Sequence, residues 1–227
     1  MLANLFNDQR REIKTRLGDP PRLSGLNESF WTGLERETAS KIRPKLKEVH
    51  LAASVGLLAD VREPIEGAEG RLATAELEAR SEQFAQRRSD QLASQMTSNT
   101  RERVEKIARD NATATEAVGI GVLLIGVLGA GRAEGAAITE VTDAAAAGEL
   151  DTVAAFEDET GLTIEAIWNT ERDSKVCPIC RPLDRRPISE IVLSELGPQA
   201  TEVKPGINAH PRCRCHLTFE VVELAGV

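Results

Sequence analysis

The chain has 227 residues, of which 41% are hydrophobic and 28% charged, and its formal net charge is −8 at pH 7. This composition is ordinary for a soluble globular protein with one large or two small domains. Aromatic residues make up only 3% and tyrosine is absent, so almost nothing is available to build a base-stacking surface for single-stranded nucleic acid.

The charge is distributed unevenly along the chain. Residues 1–116 are balanced, whereas residues 117–171 carry ten acidic residues against one basic residue, Arg132. Residues 172–227 have a net charge of +1. Five arginines in that last part surround the cysteines: Arg181, Arg185, Arg186, Arg212 and Arg214. A general DNA-binding face is therefore not expected, although a local arginine patch is.

The first part of the chain is predicted to be helical. A first helix ends near Leu17, where the sequence GDPP stops it. A second helix begins after the candidate N-cap Asn27, and Pro44 is expected to end or kink it. The following run, residues 45–61, contains His50, which is predicted to be a surface or half-buried histidine without a site. Its apolar face has helical spacing: Leu46, Val49, Ala53, Leu57 and Val61.

Residues 73–112 lack glycine and proline and predict a long helix or a broken helical pair. Their apolar stripe is thin, so it needs a neighbour, either the first helices or a second copy of the chain. The stripe consists of Leu77, Phe84, Leu92, Met96, Val104 and Ile107.

Residues 117–131 carry no charge and contain five glycines. The run is shorter than the ~20 apolar residues that span a bilayer, so the favoured prediction is a buried helix or helical hairpin. A membrane-active segment is the alternative. An alanine-rich acidic helix is predicted to follow and to end near Gly161.

Two strands are predicted to flank the cysteines. Residues 162–170 place Ile164, Ala166 and Trp168 on one face, and residues 215–224 place Leu217, Phe219 and Val221 on one face. Pairing of these strands would bring the two cysteine-containing pieces together.

All four cysteines lie in the pieces CPIC and HPRCRC, the second of which also contains a histidine. The N-terminal sequence lacks the pattern of a secretory signal, which favours a reducing cytoplasm. In that compartment, cysteines grouped in this way indicate metal binding. We predict a structural zinc site formed by four of five candidates: Cys177, Cys180, His210, Cys213 and Cys215. Disulfides or free thiols remain alternatives. Redox catalysis by CPIC is disfavoured because RPLDRRP, which follows it, opposes an immediate helix. A nucleophilic dyad of Cys177 or Cys180 with His210 is disfavoured because the sequence shows neither an orienting residue nor a substrate cleft.

A metal at this point has a structural use. Residues 181–209 contain one short helix candidate, residues 188–196, and too little apolar material to fold alone. Holding both ends of this segment on one ion would supply the missing stability.

The C-terminal part resembles the phage Mu F-like head-morphogenesis proteins, the minor capsid proteins of tailed phages and related prophages. The resemblance covers residues 132–222 and includes the segment Ile138–Val141, which is similar to a helical RTE motif of that family. Two positions depart from the pattern: Ile138 replaces an arginine, and Arg185 replaces a glycine that often follows the Leu-Asp turn. The matching residues are Trp168, Thr170, Asp173, Cys177, Cys180, Leu183, Asp184, His210, Pro211, Cys213, Arg214 and Cys215.

The resemblance implies a non-enzymatic structural protein of the virion head interior, present in the host cytoplasm during assembly. Its implied partners are the portal protein and the major capsid protein, with viral genomic DNA, self-association through the N-terminal helices and membrane contact left open. We expect a mainly α N-terminal region, residues 1–131, and a small α+β C-terminal module, residues 132–227, stabilised by the Cys/His cluster. Two other functions remain open: a Cys/His-dependent hydrolase or toxin, and a zinc-dependent nucleic-acid-binding module.

Overall fold

The computed structural model describes residues 1–18, 21–62, 74–111, 119–191, 210 and 212–222. The described part is mostly helical and carries a small antiparallel sheet and a Cys/His cluster near its C-terminal end, which confirms the predicted fold class. The five helices are α1 Leu2–Leu17, α2 Glu28–Arg62, α3 Thr74–Asn111, α4 Ile120–Leu128 and α5 Ala130–Thr160. The three strands are β1 Thr163–Asn169, β2 Arg186–Pro187 and β3 His216–Val222.

Contacts divide the chain into two compact units. Unit 1 consists of Met1–Lys45 and Gln86–Ala137, and unit 2 consists of Leu46–Ala85 and Ile138–Val227. These units do not coincide with the segments 1–131 and 132–227 expected from the sequence, because α2, α3 and α5 each contribute residues to both units.

The boundary between α1 and α2 follows the sequence signals. Gly18, at φ 70°, follows the last residue of α1 in a left-handed conformation that favours glycine. Asn27 caps α2, since its Oδ1 accepts a hydrogen bond of 3.0 Å from the backbone N–H of Phe30. Both helix limits are therefore confirmed.

Pro44 does not end α2, which continues to Arg62, so of the two predicted outcomes, an ended or a kinked helix, the first is wrong. Ile42 and Leu46 are buried on either side of the proline. Burial of this apolar face offsets the backbone hydrogen bond that proline cannot donate.

His50 is fully buried on α2, and the prediction of a surface or half-buried residue is wrong. Its Nδ1 lies 2.9 Å from Ser81 Oγ on α3, and its Nε2 lies 3.2 Å from Asp151 Oδ2 on α5. The ring also contacts Phe84, with 4.5 Å between the ring centroids. The imidazole can be buried because two other helices supply partners for both of its nitrogens.

The interior of unit 2 lies between these helices and β1. Gly148 on α5 permits a close helix contact, since a Cβ at this position would collide with the backbone carbonyl oxygen of His50 on α2. Ser54 Oγ on α2 donates a hydrogen bond of 3.0 Å to the carbonyl oxygen of Gly148. One cluster of this interior comprises Leu57, Leu58, Leu77, Val153, Ala155, Phe156 and Ile164.

Residues 74–111 form one long helix, the first of the two arrangements predicted for this segment. Leu77, Leu92, Met96 and Val104 of its apolar stripe are buried, while the side chains of Phe84 and Ile107 are half-buried. The neighbours that the stripe required are therefore present within the same chain.

The apolar run after residue 118 divides at Gly129 into α4 and the start of α5. A Cβ at Gly129 would collide with the carbonyl oxygen of Ile125, so glycine permits this turn. α4 packs against α1 and buries one face, while its other face is exposed. The prediction of a buried helix is thus met on one side only, and residues 117 and 118 lie outside the described part. By length and composition alone, the stretch Ile120–Thr160 is apolar enough to cross a membrane, as core helices of soluble proteins can also be.

The sheet has the strand order β2-β1-β3 and is antiparallel. β1 alternates between exposed and buried side chains as predicted, with Ile164, Ala166 and Trp168 inside. In β3, Leu217 is buried and Phe219 half-buried, whereas Val221 is exposed. The predicted helix at residues 188–196 begins as a 3-10 turn, Ile188–Glu190, and residues 192–196 lie outside the described part.

Candidate metal centre

Strand pairing positions both cysteine-containing pieces at one end of the sheet. Asn169, the last residue of β1, pairs with His216, the first residue of β3. The CPIC piece follows β1 through a turn, and Cys215 immediately precedes β3. The predicted convergence of the two pieces is therefore present in the fold.

The cluster contains three short contacts. His210 Nε2 lies 3.1 Å from Cys177 Sγ and 3.2 Å from Cys180 Sγ. Cys180 Sγ lies 3.7 Å from Cys213 Sγ. Cys180 therefore links the histidine to the second cysteine pair.

All five predicted ligands are brought together. They form two overlapping groups, Cys177–Cys180–His210 and Cys180–Cys213–Cys215, within each of which the ligand atoms lie less than 4.8 Å apart. The four cysteines are free thiols. His216, the neighbour of Cys215, is exposed and instead lies 3.9 Å from the carboxylate of Glu171.

The cluster is mostly shielded from solvent. Cys180, Cys213 and Cys215 are 2%, 1% and 6% exposed, and they pack with Trp168 and Leu183. A cavity of about 30 Å³ opens onto the five ligand residues, with Glu171, Lys175, Val176, Arg212 and Arg214 completing its lining. This volume suits one small occupant such as an ion or a water molecule.

The donor set fits a tetrahedral ion of the zinc type. Two thiolates at about 2.3 Å from one zinc ion stand about 3.8 Å apart in tetrahedral geometry, close to the Cys180–Cys213 separation. The backbone N–H of Cys180 donates a hydrogen bond of 3.3 Å to Cys177 Sγ, a contact that orients this sulfur as a ligand. Thiolate and imidazole are also the ligands that zinc prefers.

The pKa values of the thiols in the cluster depend on one another. A hydrogen bond from Cys180 lowers the pKa of the Cys213 thiol, and the same bond raises the pKa of Cys180. Crowding of buried sulfurs thus favours one thiolate and opposes further ionisation. A divalent cation would reverse that opposition, because metal binding displaces thiol protons.

Trp168 supports the cluster from the strand side. Its indole N–H is buried without a hydrogen bond of regular geometry, yet it lies close enough to Cys215 to favour the thiolate of that residue. Even so, the pKa of Cys215 is raised overall, because the hydrogen bond from Cys180 and the indole contact are outweighed by Cys213 and by burial. Cys215 is therefore tied both to the other sulfurs and to the core of the sheet.

Two acidic residues fix the turn before the CPIC piece. Asp184 Oδ1 accepts hydrogen bonds from the backbone N–H and the hydroxyl of Thr170, at 2.9 and 3.0 Å, and the backbone bond is the main cause of its lowered pKa. Asp173 accepts two hydrogen bonds of 2.9 Å from Arg214, which lowers the pKa of that carboxyl. The sequence singled out these residues by resemblance alone, and their pairing was not predicted.

The second cysteine piece is attached to α5. The backbone N–H of Arg212 donates to Thr139 Oγ1 at 2.9 Å, and Thr142 Oγ1 donates to the carbonyl oxygen of Cys213 at 3.4 Å. Thr139 belongs to the segment Ile138–Val141. That segment therefore positions a turn that carries a candidate ligand.

Left-handed turns surround the cluster at three arginines. Arg172, Arg185 and Arg212 have φ values of 53°, 64° and 63°. Arg185 occupies the position where the Mu F-like pattern often has glycine, and its backbone N–H donates a hydrogen bond of 2.7 Å to the carbonyl oxygen of Trp168. The departure at this position therefore places a side chain where glycine is favoured.

The arginine patch around the cysteines is partly neutralised. Of its five members, Arg214 forms an ion pair with Asp173 at 2.9 Å, and Arg172, which lies outside the patch, pairs with Asp184 at 3.0 Å. A basic surface that binds nucleic acid requires arginines that remain available to phosphates. These ion pairs weigh against that use of the patch.

The fold and the site together define a mainly helical protein with a buried, metal-compatible Cys/His cluster beside a three-stranded sheet. In comparisons with known proteins, the chain matches no family model, no curated protein and no solved structure.

Proposed function

We propose that the protein is a minor capsid or head-morphogenesis protein of a tailed virus or prophage, with a structural zinc ion in its Cys/His cluster. The observation that carries this proposal is that several described residues of the Mu F-like resemblance contact one another in or beside the cysteine cluster. Trp168 lies in the cysteine core, Thr170 bonds Asp184, and Asp173 bonds Arg214. These contacts support the structure of the module, which is the role that the resemblance implies for them.

The short contacts favour one set of four ligands. They join Cys177, Cys180, His210 and Cys213, with Cys180 common to two of them. Cys215, whose sulfur also hydrogen-bonds Cys180 and lies within 4.8 Å of those of Cys180 and Cys213, is then assigned to a position outside the coordination shell. Four protein ligands leave no open coordination position, which is the arrangement of structural zinc sites rather than catalytic ones.

The metal test uses single substitutions of the full-length chain. We expect one zinc ion per chain by elemental analysis, loss of zinc in Cys213→Ser, and at least half retention in Cys215→Ser. His216→Gln is the matched histidine control, because this side chain is exposed and outside the cluster. A chain purified with metals supplied that holds no stoichiometric zinc would overturn the metal assignment.

The proposed location is the interior of the head, in contact with the portal protein and the major capsid protein. Mass spectrometry of purified heads is expected to detect the chain in few copies per portal, and cross-linking is expected to join it to portal subunits. Absence from purified particles that contain the portal would contradict the proposed function. This measurement does not depend on the metal test.

A Cys/His-dependent hydrolase or toxin is the second candidate, favoured by the 3.1 Å contact between the half-buried Cys177 and His210. A thiol beside an imidazole is the arrangement of a cysteine nucleophile. That candidate predicts a Cys177→Ala chain that remains folded and loses a measurable hydrolytic activity. The structural proposal instead predicts that this variant loses zinc and stability.

A further inference from the structure

α4 has two contrasting faces although it contains no charged residue. Leu124, Val127 and Leu128 are at most 2% exposed, whereas Val122 and Ile125 are 62% and 50% exposed. Residues three apart lie on the same side of a helix, so the two exposed side chains form one apolar face. We call this pair the α4 face.

Two basic side chains flank the α4 face. The side chain of Lys14 on α1 lies beside Gly121, near the start of α4. Arg103 on α3 donates a hydrogen bond of 3.0 Å to the carbonyl oxygen of Gly126, near its end. Both residues are exposed, so positive charge is present near each end of an apolar surface.

Two of the C-terminal carbonyls of α4 also accept hydrogen bonds from arginines. Arg103 bonds the carbonyl oxygen of Gly126, and Arg132 donates a hydrogen bond of 2.7 Å to that of Val127. The last carbonyls of a helix normally rely on water, and leaving them without a donor in an apolar medium is costly. Guanidinium donors supplied by the protein reduce that cost.

The charge of the surrounding unit has the matching sign. The segments of unit 1 contain 16 Lys and Arg against 12 Asp and Glu, a net charge of +4. The segments of unit 2 contain 12 against 24, a net charge of −12. The α4 face therefore belongs to the basic part of an acidic protein.

We infer that the α4 face inserts into the interfacial layer of an anionic lipid bilayer, with Lys14 and Arg103 next to the lipid headgroups. α4 has nine residues, far fewer than the ~20 needed to span a bilayer, so α4 by itself can lie in the interfacial layer but cannot cross the membrane. Cations beside an apolar face complement the phosphates of a lipid surface. An apolar groove of a partner protein would leave these cations without a counter-charge. This membrane contact goes beyond the proposed structural role in the head, and the zinc and particle measurements above do not depend on it.

The test is vesicle flotation with the full-length chain. Vesicles of phosphatidylglycerol and phosphatidylcholine in equal amounts are compared with vesicles of phosphatidylcholine alone, at low and high salt. We expect at least tenfold more bound protein on the anionic vesicles at low salt. Lys14→Gln is expected to reduce that binding severalfold.

The double variant Val122→Glu/Ile125→Glu is expected to lose at least tenfold in vesicle binding. Val55→Glu is the matched control, because Val55 is 47% exposed on α2 and lies in unit 2. Circular dichroism should show the same helicity for all three chains, since the substituted side chains are exposed. Val122→Ser/Ile125→Ser provides a milder second variant should the glutamates perturb folding.

Three results would overturn the inference. The chain could bind anionic and neutral vesicles equally, or Val55→Glu could lose as much binding as the double variant. Light scattering could also reveal a dimer that the double variant dissociates without any vesicle binding by the wild type, which would assign the α4 face to a second copy of the chain.

Discussion

Two histidines, His50 and His210, occupy shielded positions in very different surroundings. His50 lies among three helices, and both of its nitrogens contact oxygen atoms, those of Ser81 and Asp151. His210 lies beside the sheet, and its Nε2 contacts the sulfurs of Cys177 and Cys180. Oxygen partners satisfy the hydrogen-bonding nitrogens of an imidazole without a metal ion. Thiols crowded around one imidazole nitrogen instead form a site that a bound cation would stabilise.

The difference shows that the partners of a histidine, rather than its degree of burial, identify a candidate ligand, since His50 is buried and His210 half-buried. Around His50 the hydrogen bonds join α2 to α3 and α5 without any external group. Around His210, side chains that are packed equally closely bring sulfur ligands together. The following predictions test this contrast, beginning with the largest expected effect.

Removal of the metal should affect only the His210 region. We expect a chelator to lower the free energy of unfolding of the C-terminal segment by at least ~5 kcal/mol, because binding of a structural zinc ion is folding free energy. Urea unfolding followed by tryptophan fluorescence, with and without chelator, measures this loss, since Trp168 packs on the cluster. Identical urea unfolding transitions for metal-loaded and metal-free protein would contradict the proposed difference between the surroundings of His50 and His210.

Removal of the His50 imidazole should be costly with or without metal. His50→Ala leaves a cavity beside Phe84 and deprives Ser81 and Asp151 of a partner, so we expect a loss of about 3–5 kcal/mol in urea unfolding. Zinc content should not change. The exposed control, His216→Ala, should cost less than ~0.5 kcal/mol. A chelator-dependent effect of His50→Ala would show that the two regions are not independent.

A third ionisable group, Glu149 on α5, sharpens the comparison because burial sets its pKa. Burial raises this pKa from 4.5 to about 7. The folded state therefore favours the protonated carboxyl, and its contribution to stability, complete below pH 4.5, is lost as the pH rises through 7. Glu149→Gln should raise stability at pH 8 by about 1 kcal/mol or less after allowance for solvent screening, and should change it little at pH 4.

Thermal unfolding between pH 4 and pH 8 provides the measurement for Glu149. Glu134→Gln, which changes an exposed carboxylate on the same helix, is the matched control. Equal effects of the two substitutions at pH 8 would argue against burial as the cause.

The smallest expected effect concerns the turn beside the cluster. Arg185 has φ 64°, which costs a side-chain-bearing residue more than it costs glycine. Arg185→Gly should therefore stabilise the metal-loaded chain by about 0.5–1 kcal/mol, after the greater freedom of glycine in the unfolded state is counted. Arg186→Gly, in β2, should instead destabilise the metal-loaded chain. A gain in stability of the same size for Arg186→Gly would rule out the positive φ of Arg185 as the cause.

Much of the fold could be predicted from local sequence signals. Gly18, Asn27 and Gly161 define helix ends, and alternation along β1 places Trp168 inside. Such features depend on neighbours a few residues away. Burial of His50 could not be predicted, because its partners lie 31 and 101 residues away along the chain.

The candidate site shows the same division. Residue types and their clustering identified all five donors, since sulfur and imidazole grouped in two short pieces indicate metal binding. The contacts that favour four of them, and the hydrogen bonds that Asp184 and Asp173 accept in fixing the turn, arise only once β1 and β3 pair. The continuation of α2 through Pro44 likewise depends on burial of flanking side chains, which periodicity alone did not weigh.

The division of three long helices between the two units has a consequence for inheritance. Leu57, Leu58 and Leu77 come from the first half of the chain and pack with Phe156 and Ile164 from the second. A recombination event that transferred only the second half would transfer the cysteines together with Phe156 and Ile164. It would leave behind the helices against which those two apolar residues pack. Exchange of this region between genomes is therefore expected to preserve both halves, or to require a recipient that already encodes matching helices.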